Sequence, residues 1–389
     1  MKQSNNGNDN ISKYKKKSKL FKKKEKKFLK KKRNLDKNHL SKEGDRINKS
    51  LDNFGKTKIN DYNYKNDSSK EIIYTNGKYI GNIKKDIREG KGIYYWNDGD
   101  IYEGEWKNDK MEGKGIYYYK NGEIYEGDWK NNNSEGKGIL YTSEGNKYNG
   151  DFKNDIIEGK GIFDWIKGEK YEGEFKNGLM EGKGIYYYKK GDIYEGHYKS
   201  DKREGEGIYY YKSGDIFEGN WKNDKKEGKS KYYFENGDIY EGDFKNSLLE
   251  GKGILYYYEG DKYEGDFKNG LFEGKGIYYY NNGSKYEGDW KNDLKDGKGI
   301  MNYNDGSKYE GDWKNDIREG KGIMHYNDGS KYEGEFKNNL KHGKGIMNYK
   351  DGSKYEGDWK QNVKEGEGII YYNDGSKYEG LFKNDERVN

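Results

Sequence analysis

The chain contains no cysteine, which removes disulfides, thiolate metal sites, thiol catalysis and S-palmitoylation from the functions open to it. A reducing cytosol suits such a chain. No apolar run approaches the roughly 18 residues that span a bilayer, and the N-terminus shows neither a signal-peptide apolar region nor a Met-Gly start for myristoylation. Membrane contact is therefore expected to be peripheral. Aliphatic residues are scarce as well. Only 30% of the 389 residues are hydrophobic and 38% are charged, which excludes a Leu-rich core. In their place stand 43 tyrosines and 58 glycines, a balance that in an aperiodic chain would argue for disorder.

The net charge of +6 is unevenly spread. Residues 1–50 hold 19 Lys and Arg against 5 Asp and Glu, a local net of +14, whereas the part from Tyr79 onward carries about −9. A basic leader precedes a mildly acidic body.

Periodicity decides against disorder. Tyr-x-Gly triplets begin at Tyr79 and recur every 23 residues, without a slip, to Tyr378, fourteen in all, with Phe217 as the one replacement of Tyr. Two residues after each ring stands a glycine, from Gly81 to Gly380. Two residues further on comes an aromatic, such as Trp106, Phe152, Tyr198 or Trp313, in every copy but the first, which has Ile83.

One copy, residues 286–308, reads as two short strands and two turns. In Tyr-Glu-Gly-Asp-Trp-Lys-Asn the period of two puts Tyr286, Gly288 and Trp290 on one face and Glu287, Asp289 and Lys291 on the other. Residues 292–297 carry turn chemistry. A second extended run covers Lys298 to Tyr303, and Asn304-Asp305-Gly306 closes the unit as a tight Asp-Gly hairpin. A glycine that returns inside every strand implies that a neighbouring ring lies across the bare backbone there. Tyrosine suits a sheet without a sandwich partner, because its ring buries area while its hydroxyl is expected to stay wet.

Tyr-x-Gly-x-Trp, then a Glu-Gly or His-Gly pair (Glu112-Gly113, His342-Gly343), Gly-x-Gly, and a Gly before the next triplet resembles the MORN repeat, the membrane occupation and recognition nexus. Local departures are Ile80, Ile83, Asn149, Ser230-Lys231, which mark either a bend or a tolerated drift, and a last copy that stops after its first strand. The resemblance implies an all-β fold: an elongated single-layer antiparallel sheet of successive β-hairpins, about twenty-seven strands. A closed propeller with two copies per blade competes, but adjacent copies are as alike as alternate ones and the Gly-His and Trp-Asp marks of such blades are missing. The expected organisation is a Lys-rich tail over 1–50, disordered or an amphipathic helix, a polar linker with an incomplete first hairpin over 51–78, and the repeat array over 79–389.

Catalytic constellations do not emerge. His39 lies in the tail, and His197, His325 and His342 occupy positions that other copies fill with other residues. Asp and Glu abound, but the repeat places equivalents everywhere and singles out no acid and base pair. Gly113-Lys114-Gly115 and its equivalents lack the full P-loop spacing, and the Asn-Asp-Gly-Ser turns lack the spaced ligands of a calcium loop. No enzyme activity, cofactor or structural metal is expected.

The leader carries more information. Lys15, Lys16, Lys17, Lys22, Lys23, Lys24, Lys26, Lys27, Lys30, Lys31, Lys32 and Arg33 surround Phe21 and Phe28, and Tyr14, Phe21, Phe28 and Leu35 recur every seven residues. On a helix they form one apolar stripe, a candidate site for anionic phospholipid, each Lys worth up to about 1 kcal/mol near the surface. Nuclear import, non-specific nucleic-acid contact and a merely solvated leader are the other readings of the run; nucleic acid is not the expected partner.

In the repeats, the aromatic face of Tyr102, Trp106, Tyr125, Trp129, Tyr286, Trp290, Tyr309, Trp313, Tyr355 and Trp359 is the candidate surface for protein partners. The resemblance implies a non-enzymatic scaffold that organises a membrane-associated or cortical cytoskeletal structure. The alternatives are a direct phospholipid-binding module, or a regulatory subunit of a phosphatidylinositol phosphate kinase or an axonemal complex. Open sheet ends predict a homo-oligomer.

Overall fold

Two-residue turns govern the local structure. At Asn108-Asp109 both residues have positive φ (50° and 63°), the conformation of a type I′ hairpin, and Asn and Asp are the non-glycine residues that tolerate it best. The computed structural model describes residues 69–388. Residues 1–68, and with them the run 15–33, His39 and most of the expected linker, lie outside the described residues.

Two units, described separately, divide this length at Asp224 and Lys225. The first runs through β1 (Ser69–Tyr74), β2 (Gly77–Lys84), β3 (Ile87–Trp96), β4 (Ile101–Lys107), β5 (Lys110–Tyr118), β6 (Ile124–Lys130), β7 (Asn133–Tyr141), β8 (Lys147–Lys153), β9 (Ile156–Asp164), β10 (Lys170–Lys176), β11 (Leu179–Tyr187), β12 (Ile193–Lys199), β13 (Lys202–Tyr210) and β14 (Ile216–Lys222). The second repeats the pattern from β15 (Lys225–Tyr233) to β29 (Glu386–Arg387), and includes β18 (Lys262–Lys268), β19 (Leu271–Tyr279), β20 (Lys285–Lys291) and β21 (Leu294–Asn302). Within each unit every strand pairs antiparallel with the strand before and after it, an all-β open sheet of hairpins. The chain has no proline, so no strand position lacks a donor.

The boundaries inside a copy differ from the expectation. Only Asn292 and Asp293 form the first turn, and β21 starts at Leu294 rather than Lys298. The ladder is kept by a register shift between Gly288 and Trp290, where a bulge on β21 sets residues 296–298 against Asp289 and absorbs two extra residues. The closing turn is also not a two-residue Asp-Gly hairpin. It spans 303–307, closed by Tyr303 N–H donating to the Ser307 carbonyl at 2.9 Å, with Gly306 (φ 92°) the residue that needs positive φ. Ser230-Lys231 leaves the ladder intact: Ser230 pairs Gly242, and Lys231 pairs Glu241 with an ion pair at 2.9 Å.

The core is a row of rings. Twelve tyrosines, Tyr286 among them, are almost fully buried. Each lies over the glycine two residues on and the glycine paired with it. A Cβ added at Gly138 would stand 2.5 Å from both Oη and Cε2 of Tyr125, so the interlock is made within one hairpin. The tyrosine hydroxyl is not left in water as expected. Tyr286 Oη donates to the Asp289 carbonyl at 3.0 Å, which places the whole side chain inside. The indole reaches the other way, Trp290 Nε1 donating to the Gly276 carbonyl of the preceding copy at 3.1 Å. Tyr286 thus meets Trp290 edge-on at 5.2 Å and Trp313 at 5.3 Å, an alternating series that contributes roughly 0.5–1.5 kcal/mol per pair.

The glutamate of each Glu-Gly pair serves the next copy: Glu89 Oε2 accepts from the Asn108 N–H at 3.0 Å, and Glu112 from Asn131 at 2.9 Å. These carboxylates hold turns. Two ring-face atoms break the rule, Tyr198 Oη and Trp221 Nε1, which are buried without a hydrogen-bond partner. Tyr240→Phe, which deletes the donation to the Asp243 carbonyl at 3.0 Å, is expected to lower stability by about 1 kcal/mol. Tyr198→Phe should raise it by about 1 kcal/mol, since it removes an unpaired buried hydroxyl. Urea denaturation of the two variants checks both signs.

Candidate partner-binding surface

The ten aromatics expected to face partners are interior. Tyr102, Tyr286, Tyr309 and Tyr355 are fully buried, Tyr125 nearly so, and Trp106, Trp129, Trp290, Trp313 and Trp359 are also buried. Their rings join copy to copy, and what they leave for a partner is small.

A second set of rings is open instead. The residue that enters each closing turn is aromatic in Trp96, Tyr119, Trp165, Tyr188, Tyr211, Phe234, Tyr257 and onward to Tyr372, with Thr142 the exception, and these rings are half-buried. Where the residue two positions before is also aromatic, the turn-entry ring lies beside it, as Tyr119 does beside Tyr117, and it meets the corresponding ring of the next copy, as Trp96 meets Tyr117 and Tyr188 meets Tyr209. In the first unit Trp165, Tyr186, Tyr188, Tyr209 and Tyr211 follow one another at 4.5–5.6 Å. The result is an aromatic ribbon along the rim of the ring face, made in runs: one from Trp96 to Tyr119 and one from Phe163 to Tyr211 in the first unit, and a shorter one from Tyr257 to Tyr280 in the second, beyond which Met301, Met324, Met347 and Ile370 stand between the turn-entry rings. Its position in the 23-residue period was visible in the sequence, but only the burial of the Tyr and Trp rows shows that the ribbon is what remains exposed.

Carboxylates flank the ribbon. Tyr117 Oη donates to Asp100 at 2.7 Å and Tyr209 Oη to Asp192 at 2.9 Å. Burial, and then those carboxylates, push both phenols up. Tyr119 is pushed up to about 12 by burial and by Asp155 and Glu123.

The ring face differs between the units at the second residue after each first turn. The first unit has Arg88, Met111, Ser134, Ile157, Met180 and Arg203 there. The second ends in five successive cations: Lys295, Arg318, Lys341, Lys364 and Arg387. Lys341 Nζ stands 4.1 Å from the Trp359 ring and Arg387 4.7 Å from Tyr378. Burial among the rings lowers the Lys341 ammonium.

The opposite face holds a row in which isoleucine and glutamate alternate from strand to strand. Glu103 pairs Ile93 and Ile116, and Glu126 pairs Ile116 and Ile139. A groove of about 580 Å³ runs here, lined by Lys91, Glu103, Glu105, Lys114, Ile116 and Glu126 among others. The Gly-Lys-Gly segments are not free anion nests: Lys137 N–H donates to Asp128 at 3.0 Å, and its ammonium pairs with Asp151 at 2.5 Å. Burial alone would raise the Asp151 carboxyl, but Lys137 and the Lys160 N–H hold it below the ordinary carboxylate range. In the closing turns Asp305 accepts from the Ser307 N–H at 2.8 Å, a local turn contact.

His197 has its Nδ1 3.1 Å from the Glu206 carbonyl, and His325 and His342 sit on other strands, so the three do not converge. Among the described residues no group of three His, Asp or Glu is placed to hold a metal, and no helix is long and apolar enough to cross a membrane.

The MORN repeat family matches thirteen consecutive windows of 23 residues, from 79–101 through 355–377. The chain belongs to the MORN repeat family. Comparison of this MORN chain with curated proteins finds no match. Among solved structures it is similar to the TCP10 domain of Danio rerio CPAP in complex with a peptide of STIL. There the identity is 11% over 57% of this chain and 94% of that one, with a TM-score of 0.34. It is similar too to the SAS-4 (dCPAP) TCP domain of Drosophila melanogaster in complex with a proline-rich motif of Ana2, 18% identical over 40% of this chain and 85% of that one, TM-score 0.27.

Proposed function

We propose that this MORN array is a non-catalytic scaffold whose ring-face rim binds protein partners, while the basic leader brings it to an anionic membrane or the cortical cytoskeleton. The aromatic ribbon carries this reading. Half-buried rings held by their neighbours lose little freedom on binding, and aromatic side chains dominate the energetics of interfaces. A surface repeated every 23 residues suits extended or multivalent partners, since the copies, the one with Thr142 apart, offer an aromatic ring at the same place again. Open edge strands support self-association of the array.

The test is proximity labelling in the source cell with the wild-type chain and with Tyr119→Ser, Tyr188→Ser and Tyr211→Ser combined. The triple variant is expected to lose a defined group of neighbours at equal abundance. An unchanged set of neighbours would remove the ribbon from the proposal.

A second reading is direct phospholipid binding by the repeats, which the cation row of Lys295, Arg318, Lys341, Lys364 and Arg387 favours. Sedimentation with anionic vesicles separates the two. Replacing the leader lysines should abolish binding under the first reading, and Arg318→Gln, Lys341→Gln and Lys364→Gln should abolish it under the second.

A further inference from the structure

Three of the ring-face cations each face an aspartate in the turn that follows. Arg88 Nε stands 3.1 Å from Asp109, Arg203 Nε 2.9 Å from Asp224, and Lys295 Nζ 3.4 Å from Asp316. Arg318 keeps this geometry without the opposite charge. Its Nε lies 3.4 Å from Asn339 Oδ1, Nη2 donates to the Asn339 carbonyl at 2.8 Å, and Nη1 lies 3.8 Å from the Met324 sulfur. Lys341 faces Asn362 in the same way, its N–H donating to Asn362 Oδ1 at 2.8 Å. Beside it His342 stands where every other copy has Glu or Asp. Positions 339, 342 and 362, where a carboxylate would adjoin these two cations, therefore carry none. Among the described residues neither Arg318 nor Lys341 has an ion pair.

Rings hold both charges in place. Arg318 lies 5.5 Å from the Tyr309 ring and 5.6 Å from Phe336, and Lys341 4.1 Å from Trp359 and 5.6 Å from Tyr332. Burial pushes the Tyr303 and Tyr326 phenols up and Arg318 opposes it, so its charge stands close to the turn-entry rings. Lys364 continues the line, 5.6 Å from Tyr349 and 5.4 Å from Tyr355, with Asp385 accepting from its N–H at 2.9 Å. Cations positioned in this way lose little freedom when an anion arrives. The three stand on alternate strands, β23 (Ile317–His325), β25 (Leu340–Asn348) and β27 (Val363–Tyr371), and so recur about every 9.6 Å. A polyproline II helix repeats every three residues, or about 9.3 Å.

We propose that Arg318, Lys341 and Lys364 bind an extended acidic peptide of a partner protein, one with a carboxylate at every third residue in the polyproline II conformation. Charge complementarity selects the carboxylates, and the match of the two repeats selects their spacing. The residues between them would rest on the half-buried turn-entry rings Tyr326 and Tyr349, since aromatic side chains are the usual ground for such peptides. An anionic bilayer is a poorer match. Asp305, Asp328, Asp351 and Asp374 stand exposed in the closing turns along the same rim and would repel it, whereas a single peptide can follow the cations between the rows. The proposal rests on the reading of the ring face as a protein-binding surface and names the chemistry of one partner.

The test is fluorescence anisotropy of the full-length chain with two labelled synthetic peptides of one composition: four Glu-Pro-Pro triplets, and the same residues arranged as a block of four glutamates followed by eight prolines. The triplet peptide is expected to bind about tenfold tighter than the block. Asn339→Asp with Asn362→Asp gives Arg318 and Lys341 the internal carboxylates that Arg88 and Arg203 have, and should weaken the triplet peptide about tenfold while the circular dichroism of the sheet is unchanged. Arg318→Gln with Lys341→Gln should weaken it at least as much. Equal binding of the two peptides, or none, would overturn the proposal. Binding that both double variants leave unchanged and that falls only when the leader lysines are replaced would belong to the leader and remove the site. Phosphatidylserine vesicles that displace the peptide, and whose own binding is lost in the aspartate variant, would give the row to a membrane and refute the peptide. None of these outcomes alters the proximity labelling of the ribbon variant with Tyr119, Tyr188 and Tyr211 replaced, so failure of this site and failure of the partner-binding rim are told apart.

Discussion

Raising the pH from about 10 to 12 is expected to unfold each unit cooperatively, with phenolate absorbance appearing together with the loss of sheet signal. Six of the almost fully buried tyrosines belong to the first unit (Tyr79, Tyr102, Tyr125, Tyr148, Tyr171, Tyr194) and six to the second (Tyr240, Tyr263, Tyr286, Tyr309, Tyr332, Tyr355). Burial raises each phenol, Tyr355 to about 12 and the others further. In the unfolded chain the same groups ionise near pH 10. The folded state therefore binds more protons between those values. Stability is fully present below pH 10 and falls as the pH rises toward the folded-state values. Each tyrosine contributes about 1.4 kcal/mol per pH unit, so six contribute about 8, comparable with the whole stability of an ordinary domain. Circular dichroism and absorbance recorded together across this range are the measurement. Phenolate that titrates gradually around pH 10 while the sheet signal holds would contradict the burial of these side chains.

Gly138→Ala is the substitution expected to cost most for its size. The new methyl would meet the Tyr125 ring at 2.5 Å, and the ring cannot withdraw, because it sits edge-on to Trp129 at 5.2 Å and Phe152 at 4.9 Å and donates to the Asp128 carbonyl at 2.9 Å. A loss of about 3 kcal/mol follows from overpacking. Gly122→Ala is the control. Its φ is +89° and a Cβ there would have nothing within 4 Å, so backbone strain alone costs about 1 kcal/mol. Thermal unfolding of the pair separates the two causes. Equal losses would mean that glycine is kept in the strands for backbone conformation and not for the ring.

The comparison of Gly138 with Gly122 also shows why the interior of this protein was only partly legible. The 23-residue period, the alternation in Tyr-Glu-Gly-Asp-Trp and the strict glycine were sufficient for the hairpin, its face and the ring over the backbone, since each depends on residues a few positions apart. The direction of the contacts was not. Tyr286 covers its own hairpin while Trp290 reaches the preceding copy, across a bulge at 296–298 whose Gly297 has positive φ; the glycine marks the backbone conformation but not how far the register shifts. The turns went the same way: Asn292-Asp293 is a two-residue turn and 303–307 a longer one, although both stretches carry the same Asn, Asp and Gly chemistry.

By itself the sequence determined that this is a repeat array, that its strands have one ring-bearing face and one charged face, and that its basic charge is concentrated ahead of an acidic body. Periodicity and composition are properties of the chain, and they survive any arrangement of it. Only the tertiary structure decided which aromatics a partner can touch. Tyr102 and Trp106 and their equivalents are consumed by packing copy against copy, and the ring at the entry to each closing turn is left at the rim.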